Sequence, residues 1–516
     1  MTTLELRSRI WIILVACFLS VQVLAGCSLD PESKIKEAEL LTVRGEWQKA
    51  IAVYSNVLAA YPRDPVCLAR RGYLYGHEGQ FKKAFADFDA AIESDAKCPE
   101  PYIERSSVYC ILGFEKLSKR DAEKALSLIP AEPVDAAQLL QYASTLFNAG
   151  KRDKAAKAAQ KALALCSKRK DLNSLILAAN ALCGFRQYKE ALANLDEAWK
   201  LAPDCAYVRF LRGRVYCSQE RWSQAIDELE RYARLSRANP IVLGVLGDCN
   251  HYNGDFDKAI SYFDQAIDLV PDYANGYYKR GQVYHDIEKH RDAIEDFSTA
   301  IKLRPDDAHG FVQRADNYCH LKEWKNALKD AHQALSLDPE SAQAYRMRAC
   351  AQGGLGNFDE AVESYGRAIS LSPEDATIYC SRGMLYREHK DYKNAIADLT
   401  EAIKLDSKNA IYYCARGSAL VSDHQYERAI ADCSESLKLN SSRTHPHLSR
   451  GIAYSRLGKY SLALEDLDEA IRQYPEYGEA FYERSLIYKA LGKQTESQED
   501  MVQAKKFGYE APEVMI

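Results

Sequence analysis

The stretch Ala274–Asp307, ANGYYKRGQVYHDIEKHRDAIEDFSTAIKLRPDD, decides how the chain folds. Tyr277, Arg280, Gly281 and Tyr284 recur at spacings of three and four, which places them on one face of a helix. Ala293, Phe297 and Ala300 do the same on a second helix, and Ile287–His290 turns the chain between the two. Pro305 stops the second helix because it has no backbone N–H to donate. The next thirty-four residues repeat the pattern through Phe311, Ala315, Tyr318, Ala327, Ala334 and Pro339.

That period holds without insertion or deletion from Ala206 to Asp500. It can be followed along Tyr277, Phe311, Tyr345, Tyr379, Tyr413, His447 and Phe481. The alanine of the second helix is stricter: Ala225, Ala259, Ala293, Ala327, Ala361, Ala395, Ala429 and Ala463. Upstream, copies begin at Pro31, Pro65, Pro99, about Ala136 and Leu172. The third is weaker, with Ser118 where alanine is expected, and a few extra residues interrupt the period around the third and fourth.

A thirty-four-residue period with two helices per copy resembles the tetratricopeptide repeat family. The resemblance implies an all-α fold: an α-solenoid, wound as a right-handed superhelix, of about fourteen helix-turn-helix repeats over 31–507. Two short helices cannot bury their apolar faces alone, so each repeat needs its neighbours. First helices are expected on the concave side, and 508–516 is read as a C-terminal tail. No stretch remains for a separate catalytic domain, and no nucleophile–base set, phosphate loop or metal motif stands out. The net charge of −5 over 516 residues gives no sign of a nucleic-acid surface.

Residues 1–26 stand outside the repeat pattern. Arg7 and Arg9 precede an apolar run from Ile10 to Leu24 that is short for a membrane span. The run ends Leu24-Ala25-Gly26-Cys27, which resembles the lipobox of bacterial lipoproteins. That resemblance implies acylation of Cys27, a short tether over 27–30, and anchoring on the periplasmic side. Ser28 favours the outer membrane by the same analogy. The alternative is an uncleaved signal anchor holding a cytoplasm-facing scaffold.

Arginine occupies the seventh repeat position in ten copies, from Arg71 to Arg484, and nine of the ten carry an acid sixteen residues later. Arg280 and Asp296, Arg382 and Asp398, and Arg416 and Asp432 are examples. Where the arginine is missing, at Glu37, Tyr142, Ala178 and Leu246, the partner position holds Val53, Ala158, Asn194 and Tyr262. An arginine between packed helices needs a carboxylate, so the covariation points to an ion pair from first helix to second within one repeat. The functional alternative is an arginine ladder for anionic ligands.

Thirteen cysteines follow Cys27, an odd number that does not read as a disulfide framework. Equivalent positions one repeat apart, such as Cys380 and Cys414, lie on helices about 8–10 Å apart. A disulfide reaches only about 7 Å. The twelfth repeat position reads Cys183, Cys217, His251, His285, Cys319 in consecutive copies. These are soft or borderline ligands, but that same spacing keeps four of them from converging, so no metal or other cofactor is expected. Protein or peptide partners on the concave surface are expected instead, with no small-molecule substrate and no nucleic acid. The expected groove residues are Phe210, Tyr252, Tyr278, His251, His285, Arg346 and Arg387, since aromatic and arginine side chains are favoured anchors.

Overall fold

The computed structural model describes residues 31–509 except 130, 168–170, 204, 236–238 and 441–443. Cys27, the leader, the tether and residues 510–516 of the tail lie outside the described residues. Twenty-eight α-helices, paired into fourteen hairpins, run from Pro31–Val43 to Gln494–Lys506, and the described residues hold no strand. The chain divides into two compact units, one up to Leu303 and one from Arg304 onward.

Each hairpin is made by the same local physics. The hairpin quoted above folds as Ala274–Asp286 and His290–Leu303, the second helix ending two residues before Pro305. At the turn Glu288 is left-handed, with φ of 61°, and Lys289 N–H donates to the Tyr284 carbonyl at 2.8 Å. That reach back across the helix end satisfies a carbonyl that would otherwise be orphaned. The left-handed residue recurs in all fourteen turns. Eight are glycines from Gly45 to Gly492; the others are Arg186, Glu220, Glu288, Lys322, Lys390 and His424. A side chain there costs roughly 1 kcal/mol, so the turn is set by stacking and not by glycine alone.

Small residues let the two helices of a hairpin meet. The second-helix alanines from Ala225 to Ala463 are all fully buried. A Cβ on Gly247 would come within 2.6 Å of the Phe263 ring, so the large residue of one helix fills the gap left by the other. The irregular copy has its own solution. Ser118 Oγ donates to the Ser106 carbonyl and Ser106 Oγ to the Ser118 carbonyl, each at 2.9 Å. Ser497 donates to the Ser485 carbonyl in the last repeat in the same way. Serine at both contact positions replaces a small apolar contact by a satisfied polar one.

The repeating arginine holds two repeats at once. Arg382 donates through Nε and Nη2 to both oxygens of Asp398, at 2.7 and 2.8 Å. Arg280 does so with Asp296 at 2.8 and 2.7 Å, and Arg416 with Asp432 at 2.7 and 2.8 Å. The third nitrogen reaches back to the preceding repeat. Arg280 Nη1 meets Asp264 at 2.5 Å, Arg416 Nη1 meets Thr400 at 3.1 Å and Arg450 Nη1 meets Ser434 at 3.0 Å. Arg105, with Asp89 at 3.0 Å, and Arg212, with Asp196, follow the same rule. The pair expected within one repeat is therefore also a link between repeats. The repeat aromatics flank it: Arg280 lies over Tyr277 at 5.7 Å and Tyr284 at 5.9 Å. Arg484 lies likewise over Phe481 at 5.4 Å and Tyr488 at 5.8 Å.

Arg382 lacks the backward arm, because the acceptor position is Gly366, so it isolates the pair within the repeat. Asp398→Ala leaves that guanidinium without its acceptor and is expected to cost about 3–5 kcal/mol. Amide exchange protection across Ala376–Leu405 reads the loss. Replacing both partners, as Arg382→Met with Asp398→Leu, is expected to restore most of it. A single-mutant loss below about 1 kcal/mol, the exposed-pair range, would show that the bridge acts as a surface pair.

Candidate interaction surface

In both units the first helices of successive repeats pack against one another, whereas second helices have no comparable contact. First helices therefore take the inside of the curve. Polar side chains step from one to the next along this face. Asp248 meets Lys279 at 3.3 Å, Ser418 meets Ser449 at 2.9 Å and Glu39 meets Arg70. Offset along the same helices, His251 Nε2 pairs with Asp286 at 2.6 Å and Cys183 Sγ lies 3.8 Å from Ser218 Oγ.

In the unit up to Leu303 the coil closes on itself. The first three turns pack against the starts of first helices much later in the chain. Cys205 Sγ donates to the Arg44 carbonyl at 3.4 Å, and a Cβ on Gly45 would meet the Tyr207 Cβ at 2.8 Å. A Cβ on Gly79 would meet Pro240 at 2.5 Å, and Phe81 stacks on Tyr273 at 6.4 Å. Trp47 meets His77 edge-on at 5.2 Å and Tyr207 at 6.2 Å. The starts of these first helices are thus covered by the protein's own early turns.

That interior holds titratable groups with shifted affinities. Burial pushes the Glu104 carboxyl up to about 7, with Glu100 adding to the shift and Arg70 and Gln141 opposing it. Gln141 Nε2 donates to Glu104 Oε1 at 2.8 Å. Burial, with Arg214 adding to it, pushes His77 down to about 4.

The expected groove residues fall into different settings. Phe210 is a correction: it is 7% exposed, packed between Tyr207 at 5.8 Å and Tyr232 at 5.4 Å, and belongs to the core. The neighbours that bury it, Tyr207 and Tyr232, belong to its own repeat. Tyr278 is half-buried and rests edge-on against Phe297 at 5.6 Å. His285 is half-buried, with its ring 5.7 Å from that of His290. His251 is committed to Asp286. Tyr252 is open, 60% exposed, stacked on Trp222 at 5.0 Å; Trp222 was not among the expected residues.

Arg346 and Arg387 belong to the unit from Arg304 onward. Arg346 donates to Gln343 Oε1 at 2.7 Å and lies 3.8 Å from Asp316. Arg387 is half-buried and makes no hydrogen bond or ion pair among the described residues. It stands close enough to Glu479 and Tyr477 for its charge to act on both, with Met384 exposed one turn earlier. A half-buried guanidinium left without an acceptor suits a carboxylate or carbonyl brought by another chain.

Sequence models described as tetratricopeptide repeat match residues 35–99, 184–249, 274–307, 346–410, 380–444 and 448–497, and one described as TPR repeat matches 247–288. Together they cover more than half of the chain, and none indicates an enzyme family. The chain is 26% identical to DnaJ homolog subfamily C member 3 of Gallus gallus over 230 residues, covering 42% of this chain and 44% of that protein. It is 22% identical to DnaJ homolog subfamily C member 7 of Homo sapiens, over 41% of this chain and 44% of that one. The chain thus spans less than half the length of these relatives. Among solved structures, a tetratricopeptide repeat protein from Parabacteroides merdae aligns at 20% identity and a TM-score of 0.44, covering 48% of this chain and 98% of that one.

The interior of the closed coil sets a pH dependence. Glu104 has a folded affinity near 7 against an ordinary value of 4.5, so the native state keeps a proton the unfolded chain has lost. Its contribution to stability is full below pH 4.5 and is lost as pH rises through 7. Glu104→Gln is expected to gain on the wild type by up to about 2–3 kcal/mol between pH 4.5 and 8. Urea midpoints at the two pH values measure it; a pH-independent difference would place Glu104 in contact with water.

Proposed function

Because this chain belongs to the tetratricopeptide repeat family, we propose that it is a non-catalytic adaptor, tethered to a membrane of the bacterial cell envelope and binding protein or peptide partners. The observation that carries the reading is how the chain is used. Helical hairpins account for the described residues from Pro31 to Lys506, and an inner face with an unpaired guanidinium at Arg387 is what they offer. Family membership supports protein–protein interaction as the outcome. The tether is supported by Leu24-Ala25-Gly26-Cys27 and the apolar run before it. Two or more acyl chains on Cys27 would hold the protein firmly, at about 0.8 kcal/mol for each buried methylene. No helix of the described residues is long and apolar enough to cross a membrane.

A cytoplasm-facing scaffold on an uncleaved anchor is the second reading. The thirteen free thiols among the described residues favour it, since reducing compartments keep thiols free. One measurement separates the readings and a second tests the binding surface. The mass of the mature N-terminus is expected to show acylated Cys27 as the first residue; an intact Met1 selects the anchor. Crosslinking in intact cells, followed by mass spectrometry, identifies the partner. Arg387→Glu is expected to lower its capture at least tenfold with helicity unchanged. Undiminished capture would move the binding surface away from Arg387.

A further inference from the structure

Cys217 and Cys249 bring their sulfur atoms to 3.1 Å. They sit on Ala206–Ser218 and Pro240–Tyr252, first helices of consecutive repeats. The thirty-two-residue offset is two short of the period, and it turns the two side chains toward each other across the helix–helix contact. Cys319 and Cys350 form a similar pair in the other unit, thirty-one residues apart on Ala308–His320 and Ala342–Gly354, again first helices of consecutive repeats that pack together, and each thiol acts on the proton affinity of the other. A bonded pair of sulfurs is about 2.05 Å apart, so side-chain rotation of about an ångström closes the first pair.

Both pairs share one asymmetry. Cys249 and Cys319 are buried, at 1% and 8% exposed, while Cys217 and Cys350 are half-exposed. We propose that Cys217 with Cys249, and Cys350 with Cys319, are redox pairs that close reversibly into disulfides between consecutive repeats, with a small-molecule disulfide as oxidant. The half-exposed thiol loses its proton to water and attacks one sulfur of the oxidant. That breaks the oxidant's S–S bond, forms a mixed disulfide on Cys217 or Cys350 and releases one thiolate. The buried partner then attacks the same cysteine sulfur, gives up its own proton and expels the second thiolate. Two protein thiols are oxidised, one disulfide is reduced to two thiols, and the two protons leave with them.

The environment favours this division of roles. The hydrogen bond from Cys249 pulls the Cys217 thiol down and so favours its thiolate, with burial opposing. The hydrogen bond from Cys319 acts on Cys350 in the same way. A thiolate that is reachable, beside a resolving thiol that is not, is the arrangement thiol–disulfide exchange needs. Closure would fix the spacing of the first helices beside the His251–Asp286 contact. The proposal does not rest on the membrane tether.

The test uses the purified full-length chain, reduced and then equilibrated with oxidised glutathione. Digestion without reductant, followed by mass spectrometry, is expected to give linked peptides joining Cys217 to Cys249 and Cys319 to Cys350. Each should be two hydrogens lighter than its parts and separable by dithiothreitol. Cys249→Ser is expected to trap glutathione on Cys217 and to leave the Cys319–Cys350 link intact. Wild-type protein that carries glutathione on Cys217 without the internal link would overturn the proposal, as would links scattered among other cysteines. Because the wild-type map involves no substitution, misfolding of a variant cannot hide either result.

Discussion

An arginine that must be satisfied between packed helices organises this molecule. Its planar group carries in-plane N–H donors on three nitrogens, and most of the repeats that carry it supply acceptors for all three. Two nitrogens take both oxygens of the acid on the partner helix, and the third reaches the helix before. Tyrosine or phenylalanine closes over it one turn on either side. Tyr277, Tyr284, Tyr318, Tyr386, Tyr413 and Tyr488 are among the tyrosines used in this way. The aromatic positions do more than fill a core: they shield a charge from water, which strengthens its bonds and makes them costly to break. A helix hairpin thus carries in its own sequence both its internal closure and its attachment to its neighbour.

How much of this was legible depends on how strictly each contact constrains residue type. A bidentate partner has to be an acid, so Asp296, Asp398 and Asp432 announce themselves by covarying with arginine. The backward arm accepts Asp264, Thr400 or Ser434 with little preference and does without a partner at Gly366, so no pattern exposes it. The thiol pairs were hidden for a different reason. Comparing equivalent positions keeps Cys217 and Cys249 apart, because the partners are thirty-two residues apart, two short of a whole period. The serine at 118 looked like a lapse in the pattern, yet it is half of a reciprocal pair whose other half is Ser106.

Non-local contacts were the least legible. Periodicity describes what a repeat does to the next one and says nothing of what it meets a full turn later. The Cys205–Arg44 bond joins residues 161 positions apart, and no residue type at either end advertises it. Phe210 is core and not groove because Tyr207 and Tyr232 of its own repeat enclose it, whereas the closure brings Arg214 near His77 and so adds to the shift there. In the unit from Arg304 onward, Arg387 keeps its guanidinium unpaired among the described residues. The same aromatic-and-arginine criterion thus picks out a packing residue in one unit and an available one in the other.

The turn-to-turn seam changes what kind of object the first unit is. A stack of repeats joined only to neighbours can be shortened or lengthened one hairpin at a time, each end fraying on its own. Here Gly45 is seated against Tyr207 and Gly79 against Pro240, so the earliest hairpins are walls for the later ones. Trimming them would strip cover from surfaces deep in the chain. The module behaves less like beads on a string than like a ring, whose parts must be assembled together or not at all.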